Sequence, residues 1–150
     1  MAGYDIATNP LNRHENLFAL TEVVHIASLA LSAGMIALVD FSLLGVGWRG
    51  ESAAKLERST RLWTIAGLTA MVTSGLALFS TDPARYFYSP TFRVKMALLL
   101  AAILWNYTAH RLAMRGQPTQ LTAAAGAISL ALWASTIFGG LFFAFTPGGY

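Results

Sequence analysis

Apolar positions gather into four long runs along this chain: Phe18 to Trp48, Leu62 to Thr81, Phe92 to Ala113, and Leu121 to Phe145. A helix needs about 20 residues to cross a hydrocarbon core of about 30 Å, and each run is long enough. The stretches between them, "WRGESAAKLER", "TDPARYFYSP" and "MRGQPTQ", are polar and rich in turn residues. The pattern predicts a single-domain, all-α membrane protein. Its expected architecture is an up-down-up-down bundle of four transmembrane helices over 18–48, 62–81, 92–113 and 121–145.

Composition agrees with that reading. Hydrophobic residues make up 55% and charged residues only 11%, against about 25% charged in a soluble domain. The absence of cysteine excludes disulfide frameworks, thiolate metal sites and thiol nucleophiles. A net charge of +3, with no basic run, gives no reason to expect nucleic acid. Residues 1–17 are polar, and the first apolar run is too long for the core of a signal peptide, so no cleaved leader is expected.

Orientation follows from lysine and arginine. Arg49, Lys55, Arg58, Arg61, Arg111 and Arg115 lie on one side, against Arg13, Arg85, Arg93 and Lys95 on the other. Six against four places both termini outside the cytoplasm. Tyr86, Phe87 and Tyr88 on that face, and Trp48 on the opposite one, are expected interfacial anchors.

The polar residues inside the runs carry the chemistry. His25 and Asp40 are 15 residues apart on the first run, and Lys95 and His110 are 15 apart on the third. In a helix that spacing is a turn of about 60° and a rise of about 22 Å. The first and third runs cross in the same direction, so two polar layers are predicted. The inner layer is Asp40, Asn106 and His110, with Arg61 in reach. The outer layer is His25 with Lys95 and Arg93. Ionisable groups in a membrane turn inward, because facing lipid costs several kcal/mol. The inner layer reads first as a set of pairs pinning helices, and second as a proton-transfer or quinone-contact site.

At the depth of His25 the other runs carry glycine: Gly75 on the second, Gly139 and Gly140 on the fourth. Missing side chains there leave room for a flat ligand, and a neutral imidazole is a common ligand of haem iron. The expectation is haem b on His25 as the metal ligand. Ser28 would orient the ring, and Lys95, Arg93 and Arg85 would pair with propionates. The competing reading is that the glycines let helices pack closely and His25 bonds a backbone carbonyl across the bundle. Met71, Met96 and His14 are the available second ligands. There is no H-x-x-x-H zinc pair, glycine-rich phosphate loop or nucleophile elbow, and the methionines do not cluster as copper-transport motifs would.

"HIASLALSAGMIALVDFSLLG", "SGLALF", "SPTFRVKMALLL" and "NYTAH" together resemble a family of small bacterial four-helix inner-membrane proteins, a domain of unknown function. The matching positions are His25, Asp40, Gly45, Pro90, Phe92, Lys95, Asn106 and His110, over about residues 18–112. The arginine that family carries two positions after the aspartate is Ser42 here, which leaves Arg61 as the substitute partner. A first-helix histidine with a third-helix lysine is also remotely similar to the copper-resistance D domain and the HemJ-type protoporphyrinogen oxidase, a four-helix haem b protein.

These resemblances imply a multi-pass protein of the bacterial inner membrane with periplasmic termini. The functional expectation is one-electron transfer between the quinone pool and a partner, as an accessory subunit of a respiratory assembly or as a homo-oligomer. The alternatives are a non-catalytic structural subunit and a porphyrinogen oxidase-like enzyme.

Overall fold

The computed structural model describes residues 5–46, 52–108, 110–111 and 120–145, with side chains as far as 143. A short 3-10 turn, Ile6–Thr8, leads into α1 (Pro10–Arg13) and α2 (Glu15–Leu43). Next come α3 (Ala53–Phe79), α4 (Pro83–Tyr88), α5 (Pro90–Tyr107) and α6 (Gln120–Phe145). The described residues contain no strand. Trp48, Arg49 and Arg115 lie outside them, as do the ends proposed for the first and third runs.

Caps set the helix starts. Ser52 accepts from the Lys55 N–H at 3.3 Å, so α3 begins at Ala53, well before the apolar run at Leu62. Hydrophobicity marks where a helix could meet lipid; the capping serine marks where its backbone begins. Asp82 with Pro83 opens α4, and Ser89 with Pro90 opens α5. α2 stops at Gly45, whose φ of +74° suits a glycine. The Val46 N–H reaches back to Phe41 O at 2.9 Å and the Gly45 N–H to Ser42 O at 3.1 Å, which closes the last turn.

α3 packs on α2, α2 on α6 and α6 on α5. Ala33 and Ile36 from α2, Leu68 and Met71 from α3, Ala102 from α5 and Trp133 from α6 form one buried cluster. Polar and glycine contacts fix the sense of each helix. Early α2 meets late α3 at His25 and Gly75, and late α2 meets early α6 at Asp40 and Gly126. Early α5 meets late α6 at Lys95 and Gly139. The four long helices therefore alternate in direction.

α2, α3 and α6 are long and apolar enough to cross a membrane. α5 does not reach that threshold, since Arg93, Lys95 and Asn106 lower the hydropathy of its 18 residues. The outer surface is apolar, with Leu62 74% and Leu121 80% exposed. An apolar exterior on long helices suits a lipid environment.

Residues 5–14, which the sequence reading left as a polar extension, form a strap over the C-terminal end of α3. Asn9 donates to Ser80 O at 2.9 Å, and Asn12 donates to Thr81 O at 2.8 Å. Both supply donors to carbonyls that the end of a helix leaves open. Beside the strap, the rings of Phe79, Tyr86, Phe92 and Phe143 cluster at centroid distances of 5.1–5.9 Å. They join α3, α4, α5 and α6 at the outer end. At the other end α3 and α5 flank a small cavity.

Candidate functional site

Of the expected inner layer, the structure joins Asp40 and His110. His110 Nε2 and Asp40 Oδ1 are 2.6 Å apart, with the side chains 2% and 0% exposed. A bond that short and dry is charge-assisted. Its remaining polar atoms, Asp40 Oδ2 and His110 Nδ1, have no partner among the described residues. α6 closes over the pair: a Cβ on Gly126 would stand 2.9 Å from Asp40 O and 3.1 Å from Leu43 Cβ. Only a glycine lets the helices meet this closely here.

The cavity beside the pair has a volume of about 30 Å³, and His110, Asn106, Arg61, Glu57 and Arg111 are among its lining residues. Glu57 and Arg111 face each other at 3.9 Å, and the Arg111 guanidinium lies 4.8 Å from the centre of the Tyr107 ring. The expected pairing of Arg61 with Asp40 does not form. Arg61 is exposed, and Asp40 is held by His110. Asn106 lines the cavity without bonding the pair. The arrangement can hold a proton between a carboxylate and an imidazole, with a second imidazole nitrogen and a second carboxylate oxygen ready for water or a ligand.

In the outer layer, His25 is fixed by α3. His25 Nδ1 lies 2.8 Å from Met71 O and 3.1 Å from Ser74 Oγ. A carbonyl only accepts, so Nδ1 carries the proton and Nε2 keeps its lone pair. The orienting hydroxyl is Ser74, across the helix pair; the expected Ser28 instead has its carbonyl against Gly67, where a Cβ would be 3.0 Å away. Lys95 bears electrostatically on His25. Arg93 is exposed.

The two glycine sites are filled by the chain's own side chains. A Cβ on Gly75 would stand 3.0 Å from His25 Cε1, so the imidazole lies on that glycine. Lys95 runs along α6, 3.6 Å from a Cβ at Gly139, with its Nζ 3.3 Å from one at Gly140. In this structure the volume beside these glycines is taken by His25 and Lys95.

For haem b the fit is partial. The imidazole is fixed in the tautomer an iron ligand needs, while the places assigned to the ring plane are occupied. Among the described residues no second donor is brought up. His14 is exposed between α1 and α2, 11 residues from His25, about 16 Å along the helix. Met96 is 44% exposed, and buried Met71 contributes its carbonyl. Among the described residues no three His, Asp or Glu side chains group closely enough to hold a metal ion.

Sequence spacing found His25, Asp40, Lys95, His110 and the glycines, because each is a polar or absent side chain in an apolar run. It missed Ser74 and the partnerless Ser129 and Trp133; the carbonyl that the competing reading set opposite His25 is that of Met71. Backbone atoms carry no sequence signal, and single serines and tryptophans are ordinary in such runs. Comparison with protein-family models, curated proteins and solved structures finds no match.

Proposed function

We propose that this chain is a four-span bacterial inner-membrane protein, up-down-up-down with periplasmic termini, and that its Asp40–His110 pair handles a proton in quinone-linked electron transport. α5 completes the fourth span in this reading. Its charges do not forbid that, since Lys95 lies inward along α6 and Arg93 stands in the first turn, at the end of the span. A cysteine introduced at Gly3 and one at Ala53 should label from opposite sides of intact cells; labelling from the same side would sink the topology.

The carrying observation is the buried pair with one unpartnered atom on each member. A pair that served only to pin helices gains nothing from leaving polar atoms open, because each such atom costs about 1–3 kcal/mol. A proton site needs them. The cavity of about 30 Å³ holds one or two waters and no ring. A quinol head group would therefore approach from the lipid side, between α3 and α5, and give its proton up through those waters.

Asp40→Asn is the test, because it keeps the shape and a hydrogen bond while removing the carboxylate. In nanodiscs the variant should fold and lose the proton release that accompanies oxidation of decylubiquinol, with ferricyanide as the electron acceptor. Release equal to the parent would leave the pair as a helix pin and the chain as a structural subunit, alone or within a larger membrane complex.

A second reading, haem b on His25, is favoured by the anchored Nδ1–H and the free Nε2. Its check is a pyridine haemochrome assay on gently purified protein, repeated on His25→Ala. Haem absent from the parent, or retained in the variant with an unchanged spectrum, removes His25 as ligand.

A further inference from the structure

One stripe of α6 joins the two polar layers. Gly126, Ser129, Trp133, Thr136 and Gly140 recur at steps of three, four, three and four residues, the spacing of a single helix face. Gly126 meets Asp40 at one end, and Gly140 meets Lys95 at the other. The stripe covers about 21 Å of rise. Ser129, Trp133 and Thr136 between them are 1%, 3% and 1% exposed. Ser129 Oγ and Trp133 Nε1 have no partner among the described residues, as with Asp40 Oδ2 and His110 Nδ1. Thr136 Oγ1 donates to Leu132 O at 2.9 Å, which leaves its oxygen free to accept. Fully buried Ser32 on α2 likewise donates only within its own helix.

Four partnerless buried polar atoms in one small bundle, two of them on the α6 stripe and two at its inner end, call for a common explanation. Such atoms in native proteins are satisfied by ordered water. We propose that bound waters form a hydrogen-bonded column along this face of α6, a proton path from the Asp40–His110 pair to the Lys95 end of the stripe.

The roles differ by chemistry. Ser129 and Thr136 hydroxyls both donate and accept, so each can pass a proton on. The Trp133 indole only donates; it is a positioning residue that holds a water by its oxygen. A proton taken by the inner pair moves hydroxyl by hydroxyl and water by water along the stripe toward Lys95, whose Nζ lies 3.3 Å from a Cβ at Gly140, and no redox partner is needed for that step. The charged groups around the inner end are Glu57, Arg61 and Arg111, and around the outer end Lys95 and Glu22. This goes beyond the quinone reading and does not rest on it.

The test reads hydration directly, on ¹⁵N-tryptophan protein in nanodiscs. Trp105 is the internal control, since its indole donates to Ala125 O at 3.1 Å. Trp133 is the more deeply buried of the two, yet its indole N–H should show a water cross-peak and exchange about 10-fold faster than that of Trp105. In proteoliposomes loaded with pyranine, a potassium-valinomycin potential should drive proton entry above protein-free vesicles. Ser129→Val should cut it at least about 5-fold, and Ser129→Thr, which keeps the hydroxyl, should restore it. A Trp133 indole as protected as Trp105, with no water cross-peak, overturns the column. Proton entry unchanged in a folded Ser129→Val overturns the path.

Discussion

Removing one member of the buried pair should cost more than removing both. His110→Ala leaves Asp40, a side chain with 0% exposure, with neither of its oxygens bonded to a described residue. An orphaned buried charge of that kind costs about 3–5 kcal/mol. Asp40→Asn keeps the 2.6 Å contact but exchanges a charge-assisted bond for a neutral one, a loss of about 1 kcal/mol. In the double variant an uncharged amide lacks its partner, at about 1–3 kcal/mol, with an emptied imidazole site shared with His110→Ala. The double variant should therefore be about 2 kcal/mol more stable than His110→Ala alone.

That reversal of order separates a charge pair from an ordinary membrane hydrogen bond, which averages about 0.6 kcal/mol. Steric trapping in bicelles measures all four species on one scale. Costs that simply add, with the double variant the least stable, would refute the claim that Asp40 is a charge held by His110. A coupling near 0.6 kcal/mol would mean that the two atoms meet as neutral groups.

Three further outcomes follow from the contacts. Gly75→Leu should drive a side chain into the His25 ring, breaking the Nδ1 bond to Met71 O, and the ¹⁵N shifts of His25 should report the change of tautomer or partner; unchanged shifts would mean that the ring does not lie on Gly75. Asn9→Ala should free the strap from Ser80, cost about 1 kcal/mol, and speed proteolysis of residues 5–14, with no change in the core. Burial pushes the Tyr86 phenol above its ordinary value, against a hydrogen bond from Thr81 and the charge of Arg85 that act the other way. Folding thus favours the protonated phenol: its contribution to stability is full below the unfolded value of about 10 and falls as pH rises through the folded one. Difference absorbance at 295 nm should show a step above the ordinary phenol value, and Tyr86→Phe should remove that step.

How much of this was legible in the sequence depends on which atoms do the work. The two 15-residue spacings placed Asp40 with His110 and His25 near Lys95, because parallel helices keep equal steps level. Charge and amide groups stand out in an apolar run. Helix starts were less legible: Ala53 begins α3 because Ser52 caps it, while the hydropathy pattern responds only where charge ends. α4 and the strap were invisible for the same reason, being held by Asp82, Asn9 and Asn12 through bonds to backbone.

The glycines show where the inference from sequence stops. Equal depth set Gly75 and Gly139–Gly140 with His25, and the structure puts His25 on Gly75 but Lys95 on Gly139 and Gly140; a missing side chain says only that something comes close. At Gly67 and Gly126 that something is the backbone of α2, 3.0 and 2.9 Å from the position of a Cβ. At Gly75 and Gly140 it is an imidazole and an ammonium stem. A polar side chain in an apolar bundle needs both a partner and a volume, and a glycine on the facing helix supplies the volume. The partner then comes from backbone, as Met71 O does for His25. By that rule the inner pair is the exception. Asp40 and His110 partner each other and leave an open atom on each side, which is why chemistry is assigned there and structure to the glycine sites.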